Sequence, residues 1–129
     1  MSEQRDTQFL DIDDMSIDAF NDMAEALGWS DGMPLYLPTE EAVEKLVETV
    51  RGDNAPLGPV PPRQITPTMH TLAANAVMAG CKPPYFPAVV AALRSCLAAE
   101  YNLHGTLATT HPCTNMILMN GPVRREIDL

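Results

Sequence analysis

Residues 66–99 read TPTMHTLAANAVMAGCKPPYFPAVVAALRSCLAA, and this stretch predicts two helices that are apolar over most of their surface. Thr66 and Pro67 indicate an N-cap followed by a first-turn proline, and Gly80 is a typical helix end. The second helix is predicted near 86–99, after a loop rich in proline. Because the polar faces of both helices are narrow, we expect each helix to be buried on more than one side.

Two further helices are predicted upstream of this stretch. Thr39 is a suitable cap for a helix whose apolar positions recur at helical spacing until Gly52. An earlier helix fits residues 16–27, with Ser16 as its cap. Residues 53–65 contain four prolines, so they predict a semi-stiff extended connector rather than a helix.

Downstream of the apolar helices, the sequence predicts two strands. Residues 103–109 form an apolar run, and residues 116–119 are four consecutive apolar residues, which is typical of a strand buried on both faces. Two short strands do not form a stable sheet alone, so the missing strands would come from residues 35–37, a symmetry mate or another polypeptide. The predicted fold class is therefore α+β, with about four helices and a small incomplete sheet completed by a partner chain. An acidic arm at 1–15 would precede a single domain at 16–129.

Charge is unevenly distributed along this acidic chain of 129 residues and net charge −9. Residues 1–53 hold 14 acidic and 3 basic side chains, a net −11, whereas residues 54–129 hold 3 acidic and 5 basic ones, a net +2. The negative charge argues against a nucleic acid or an anionic membrane surface as a partner. Within residues 64–123 only three side chains are charged. So few charges predict that this part is covered, and two explanations compete. The acidic N-terminal third of the same chain could wrap over it, or, as we expect, another protein covers it, either a second copy or a different chain.

The expected location is the cytoplasm. The first residues are acidic and form no apolar leader segment, and no apolar run approaches the length that crosses a membrane. The three cysteines are an odd number without an export signal, so we interpret them as reduced thiols.

His111 is the leading candidate for catalysis, because it lies in a loop between two apolar runs and can exchange a proton near neutral pH. Thr109 and Thr110 precede it and are assigned to substrate binding. If the chain is extended, Cys113 lies on the same side as His111, and the two could form a nucleophile pair or serve as two metal ligands. The alternative is a buried histidine that orders the turn by hydrogen bonds.

Cys81, His104 and Asn120 complete the predicted catalytic set. Lys82 would favour the thiolate of Cys81, although a small apolar loop filler is the alternative. In a regular strand His104 faces away from His111, so the two share a site only if a bulge or bend intervenes; otherwise His104 is structural. The Asn120 amide could hold a substrate oxyanion. A zinc site would take His104, His111 and Cys113, but their spacing matches no strong motif, so we predict no metal and specify no cofactor.

The turn GWSDGMP at residues 28–34 is a further candidate element. Trp29 and Asp31 are assigned to substrate binding there. Asp31 could act as a base, or its carboxylate could simply cap the turn.

Several separated motifs occur in a fixed order: GWSDGMP (28–34), VPPR (60–63), NAVMAGC (75–81), NLHG (102–105), ATTHP (108–112) and NGP (120–122). Over residues 28–122 this set resembles the N-terminal part of a poorly characterised bacterial family. Members of that family are longer and are met near small redox proteins with a selenocysteine- or cysteine-Gly-Ser-Cys motif. The resemblance implies that a second subunit supplies the other half, and it carries no secure activity. Cys113 departs from the pattern, in which an apolar residue follows the His-Pro pair.

Together these features predict one subunit of a heteromeric cytoplasmic bacterial enzyme that acts on a small molecule at a Cys/His site between subunits. Lyase, hydrolase and thiol-linked redox chemistry all fit such a site. The expected partners are a second protein subunit and a small-molecule substrate, with neither nucleic acid nor membrane. The alternatives are a non-catalytic structural subunit, whose histidines order loops, and a homo-oligomeric small-molecule-binding protein.

Overall fold

The computed structural model describes residues 15–53 and 55–128, and helices are the regular secondary structure of this part of the chain. Six α-helices occur there: α1 (Ile17–Ala26), α2 (Glu40–Glu48), α3 (Met69–Met78), α4 (Phe86–Leu97), α5 (Leu103–Ala108) and α6 (Pro122–Glu126). Short 3-10 turns at Pro83–Tyr85 and Ala99–Tyr101 flank α4. Among these residues there is no strand, only an isolated antiparallel bridge between Val60 and Ile65. The prediction of an α+β fold with an incomplete sheet is therefore wrong.

Both predicted C-terminal strands fail for identifiable reasons. Residues 103–109 were expected to be extended, but Asn102 adopts a left-handed backbone (φ 51°, ψ 49°) and caps α5 by accepting a hydrogen bond from the Gly105 N–H. A short apolar run suits a helix as well as a strand, and here the capping residue decides in favour of the helix. Residues 116–119 have no regular secondary structure, because the described part of the chain offers them no neighbouring strand.

The caps predicted for the first two helices are confirmed. The hydroxyls of Ser16 and Thr39 each accept a hydrogen bond from the backbone N–H three residues later, at 3.2 Å. The third helix begins later than predicted, because its cap is Thr68 rather than Thr66, and Thr68 Oγ1 accepts from the Thr71 N–H at 3.0 Å. Either threonine is a suitable cap by type, and the one whose hydroxyl reaches an N–H of the first turn takes that role.

The main hydrophobic core lies between α2, α3 and α4. Ala73 and Phe86 are completely buried, and Leu57 brings the proline-rich connector into the same cluster. Small side chains on α3 permit close packing against α2, as expected from the alanine-rich sequence. The buried members are Val43, Leu46, Leu57, Ala73, Ala76, Val77, Phe86 and Val90.

Helix α1 is joined to the core through the segment that follows it. The Asn21 side chain accepts from the Leu35 N–H at 2.6 Å and donates to the Leu35 carbonyl at 3.2 Å. The next residue, Tyr36, donates its N–H to the Met78 carbonyl at the end of α3. The expected strand at residues 35–37 is absent, because an asparagine side chain provides the backbone partners that a neighbouring strand would provide.

The connector between α2 and α3 is fastened to α4 by an ion pair. The Arg94 guanidinium donates to both carboxylate oxygens of Asp53 and, at 2.7 Å, to the Ala55 carbonyl. The hydrogen bond from Arg94 is the main reason that the pKa of Asp53 lies below its ordinary value. Further along, the Val60 N–H donates to the Ile65 carbonyl at 2.9 Å, so the predicted extended connector contains a tight turn.

The predicted acidic arm at 1–15 lies, apart from Met15, outside the described residues. Among the helices that are described, none has the length and apolar character required to cross a membrane.

Candidate functional site

The loop that follows α5 carries the two leading candidates, and both are exposed to solvent. Its backbone is ordered by two local bonds: the His111 N–H donates to Thr109 Oγ1 at 3.2 Å, and the Cys113 N–H donates to the His111 carbonyl at 2.7 Å. Neither the imidazole nor the thiol has a hydrogen-bond partner among the described residues. The turn is thus ordered by Thr109 and the backbone, and a buried imidazole plays no part in it. Thr110 is also exposed.

A tether fixes the far end of this loop. The Tyr101 hydroxyl donates to Asn115 Oδ1 at 2.6 Å, and Tyr101 is followed by Asn102, the cap of α5. The chain therefore leaves α5 at its C-terminal end and returns to its N-terminal end. The return distance is short, because α5 is only about 9 Å long. His104 lies in the first turn of α5, and no hydrogen bond among the described residues joins it to His111 or Cys113. The strand geometry that predicted opposite faces for the two histidines does not apply.

In the motif Asn102-Leu103-His104-Gly105, three positions have structural roles and one does not. Asn102 caps the helix, Leu103 is buried at 7% exposure, and a Cβ on Gly105 would lie only 2.6 Å from Asn102 Nδ2. Three positions therefore build the local structure. His104 is the remaining one; its exposed side chain lines a surface pocket and has no hydrogen-bond partner within the described part of the chain.

Cys81 occupies a structural position at the end of α3. Gly80 has a left-handed backbone (φ 77°), and the Cys81 N–H donates to the Ala76 carbonyl at 2.9 Å, which is the usual closure of a helix by glycine. Cys81 packs against the main core, and burial raises the pKa of its thiol. The neutral thiol is thus favoured, although Lys82 follows it in sequence and was expected to promote the thiolate. This environment fits the alternative of a small apolar filler.

The turn at residues 28–34 is also explained by local structure. The Trp29 N–H donates to the Ala24 carbonyl at 2.8 Å and closes α1, while the indole remains half exposed. Asp31 Oδ1 accepts from the Met33 N–H at 3.2 Å, and the Ser30 hydroxyl donates to the Met33 carbonyl. Asp31 therefore has the geometry of a turn cap, the simpler of its two predicted roles.

Apart from Asn120, the site residues predicted from sequence fall into two sets by their place in the fold, and no hydrogen bond among the described residues connects them. Tyr36 lies against Gly80, which places Cys81 near the segment that follows the Trp29 turn. The second set contains the two histidines, Cys113 and their tether. Asn120 is exposed at the end of the irregular segment.

Sequence reasoning missed Tyr101 and Asn115. The sequence shows only that both are polar residues in an otherwise apolar stretch. The bond between them depends on the path of the whole loop.

Within residues 15–53 and 55–128, no three His, Cys, Asp or Glu side chains are arranged to hold a metal ion, so the zinc set considered above is not assembled. Comparisons of the chain with models of protein families, with curated proteins and with solved structures find no match. The family resemblance of the separated motifs stays a prediction.

Proposed function

We propose that this chain is one subunit of a heteromeric cytoplasmic bacterial enzyme that acts on a small molecule, and that a second polypeptide completes a site containing His111 and Cys113. The observation that carries the proposal is the surface next to this pair. Met116, Ile117 and Leu118 are 78%, 61% and 80% exposed. Contiguous apolar side chains at the surface are typical of interaction sites.

The backbone of this segment supports the same proposal. Among the backbone hydrogen bonds of the described residues, only that from the Cys113 N–H involves residues 112–120. The segment therefore exposes apolar side chains to water, and the hydrogen bonds of its backbone groups can be made only by water or by another chain. A protein partner that covers it would remove both from solvent.

The chemistry of the segment indicates what kind of partner surface it fits. Residues 101–123 contain no Asp, Glu, Lys or Arg, although the whole chain carries net charge −9. The central parts of protein interfaces are depleted in charged residues and enriched in large apolar ones. The partner surface should accordingly be apolar, and salt should have little effect on the association.

His111 and Cys113 supply suitable chemistry once they are covered. An imidazole can take the proton of a nearby thiol, and the thiolate is the nucleophilic form. A covering subunit would exclude water and strengthen these electrostatic interactions. Lyase, hydrolase and thiol-linked redox reactions remain compatible with the pair, and Asn120 would orient the substrate. The three free cysteines fit a reducing compartment such as the cytoplasm.

Association is tested by replacing Met116, Ile117 and Leu118 with serine. The chain is co-expressed with the product of the neighbouring gene, and the mass of the purified complex is measured by light scattering after size exclusion. We expect a stable complex for the native chain and none for the triple variant, while circular dichroism of the isolated variant is unchanged. The matched control replaces Ile17 and Leu27, which are also exposed but lie at the start of α1 and just after its end, and should keep the complex. A triple variant that assembles normally would refute the proposal.

Catalysis is tested separately in the assembled complex. His111→Ala and Cys113→Ala should each abolish turnover of the substrate found by screening, with assembly intact. His70→Ala is the control, because His70 is an exposed histidine that pairs with Glu44 elsewhere on the surface. If turnover survives both substitutions, the chain is a structural subunit and the catalytic assignment fails.

A further inference from the structure

A polar pocket of about 240 Å³ lies between the connector, the end of α4 and the start of α5. It is formed by this chain alone and does not depend on a second subunit. The residues that matter for its chemistry are Pro61, Gln64, Cys96, Leu97, Asn102 and His104. His104 belongs to the catalytic set predicted from the sequence, whereas the sequence indicated no role for Gln64.

We propose that this pocket binds a small uncharged molecule that carries an amide or carbonyl group beside a short apolar part, with His104 and Gln64 as its hydrogen-bonding residues. This proposal does not depend on the proposed enzymatic function.

The walls of the pocket are fixed before any ligand arrives. A Cβ on Gly58 would lie 3.6 Å from Leu97 Cδ1, so the connector backbone packs directly against α4. The bridge between Val60 and Ile65 closes a tight turn, in which Gln64 has a left-handed backbone (φ 56°). Asn102 fixes the opposite wall through its cap on α5.

The hydrogen-bonding groups of the pocket suit an amide or a carbonyl group. Asn102 Oδ1 is already occupied by the Gly105 N–H. The His104 imidazole and the Gln64 carboxamide have no partner among the described residues, and both are exposed and accessible. A carboxamide offers both donors and an acceptor, and a neutral imidazole offers one of each. These groups can therefore satisfy both ends of an amide.

Charge and size restrict the ligand further. None of the lining residues is Asp, Glu, Lys or Arg, so while the His104 imidazole is neutral the pocket offers a charged ligand no counter-ion. Proline and leucine side chains supply apolar walls for a short hydrocarbon part. The volume lies below the range of about 300–1,000 Å³ that is usual for drug-sized ligands, which limits the occupant to a small metabolite.

Three small probes with a three-carbon chain test the proposal on the isolated chain: propionamide, propionate, which has nearly the same shape as the amide, and propylammonium. Each is titrated while backbone amide signals are followed by NMR. We expect saturable shifts at Gln64, Asn102 and His104 with propionamide, and at least tenfold weaker binding of the two charged probes. His104→Ala and Gln64→Asn should each weaken propionamide binding about tenfold or more. His70→Ala should leave it unchanged.

Several outcomes would overturn the proposal. It fails if propionamide gives no saturable shifts at these residues, if a charged probe binds as well as the amide, or if His104→Ala binds propionamide like the native chain. Because His104 is exposed, its substitution should not disturb folding, and the unchanged dispersion of the core signals checks this.

Discussion

The helical core and the C-terminal region of this chain are both rich in apolar residues, yet they bury them very differently. In the core, Leu46 is 2% exposed and Phe86 is completely buried. In the described residues from 103 onward, Leu103 is the one buried hydrophobic residue, while Leu118 is 80% exposed. Apolar composition therefore does not by itself determine burial. Core residues recur at helical spacing on elements that have neighbours, whereas the run at 116–119 is contiguous and has none.

The two regions also differ in how they are held. The ion pairs of Lys and Arg in the described residues all lie between positions 41 and 94, and that of Arg94 with Asp53 joins separate elements. A hydrogen bond between His70 and Glu44 joins α3 to α2. The C-terminal region instead relies on neutral hydrogen bonds, chiefly the Asn102 cap and the bond from Tyr101 to Asn115. We therefore expect the core to determine global stability and the C-terminal region to open more easily.

The largest expected difference comes from truncating one large side chain in each region. Phe86→Ala should lower the free energy of unfolding by about 3–5 kcal/mol, because it removes a completely buried ring and leaves a cavity. Leu118→Ala should change it by less than about 0.5 kcal/mol, because that side chain is already in water. Urea unfolding followed by circular dichroism measures both.

If Phe86→Ala does not fold, Val90→Ala replaces it as a milder truncation of the same core. A loss for Leu118→Ala as large as that for the core variant would contradict the division into two regions.

A smaller effect is expected at the start of α5, where backbone conformation and capping act together. Asn102→Ala removes the cap, which should lower the free energy of unfolding by about 1 kcal/mol. It also places alanine in a left-handed conformation, which should lower it by about 1 kcal/mol more. Asn102→Gly tolerates the conformation and should cost clearly less. Hydrogen exchange of the Thr106 amide, which donates to the Asn102 carbonyl, reports the opening of α5. Equal exchange in the two variants would show that the left-handed backbone contributes nothing.

Local signals made much of the helical fold predictable. The first helix was expected at 16–27 and spans Ile17–Ala26, and the fourth was expected near 86–99 and spans Phe86–Leu97. The bounds of α1 depend on the Ser16 cap and on Gly28, which are adjacent to the helix in sequence. Helix α4 has no side-chain cap and begins instead with a proline in its first turn. Helix α5 was missed because its cap, Asn102, requires a left-handed backbone that the sequence does not reveal.

The candidate site was predictable only in part, because its assembly depends on distant residues. The sequence placed His111 and Cys113 in a loop, which the structure shows, but it placed that loop between strands. The bond from Tyr101 to Asn115 joins residues 14 positions apart, and no local pattern indicates it. At Cys81 the neighbour in sequence, Lys82, suggested a thiolate, whereas burial in the folded chain has the opposite effect on the pKa.

The smallest expected effect is the change in stability on breaking the ion pair between Asp53 and Arg94. It tests whether ion pairs stabilise the core region alone. The pKa of Asp53 is lowered from its ordinary value of 3.8, mainly by the hydrogen bond from Arg94. The ionised carboxylate therefore stabilises the folded state above the unfolded pKa, and this stabilisation is lost as the pH falls through the lower folded pKa. Asp53→Asn should be less stable than the native chain at pH 7, and the gap should close on acidification below pH 3.8.

Glu41→Gln is the matched control, because the pKa of Glu41 is also lowered, chiefly by its hydrogen bond from Lys45, while its side chain is 80% exposed. Its gap to the native chain should be smaller, since solvent screens an exposed pair within one helix. Exchange of the α5 amides should not follow the Asp53 titration, because the ion pair attaches the connector to α4 and does not reach α5. A gap for Asp53→Asn that stays constant down to low pH would show that the carboxylate charge contributes nothing. Exchange in α5 that follows the titration would show that the C-terminal region depends on the core ion pair after all.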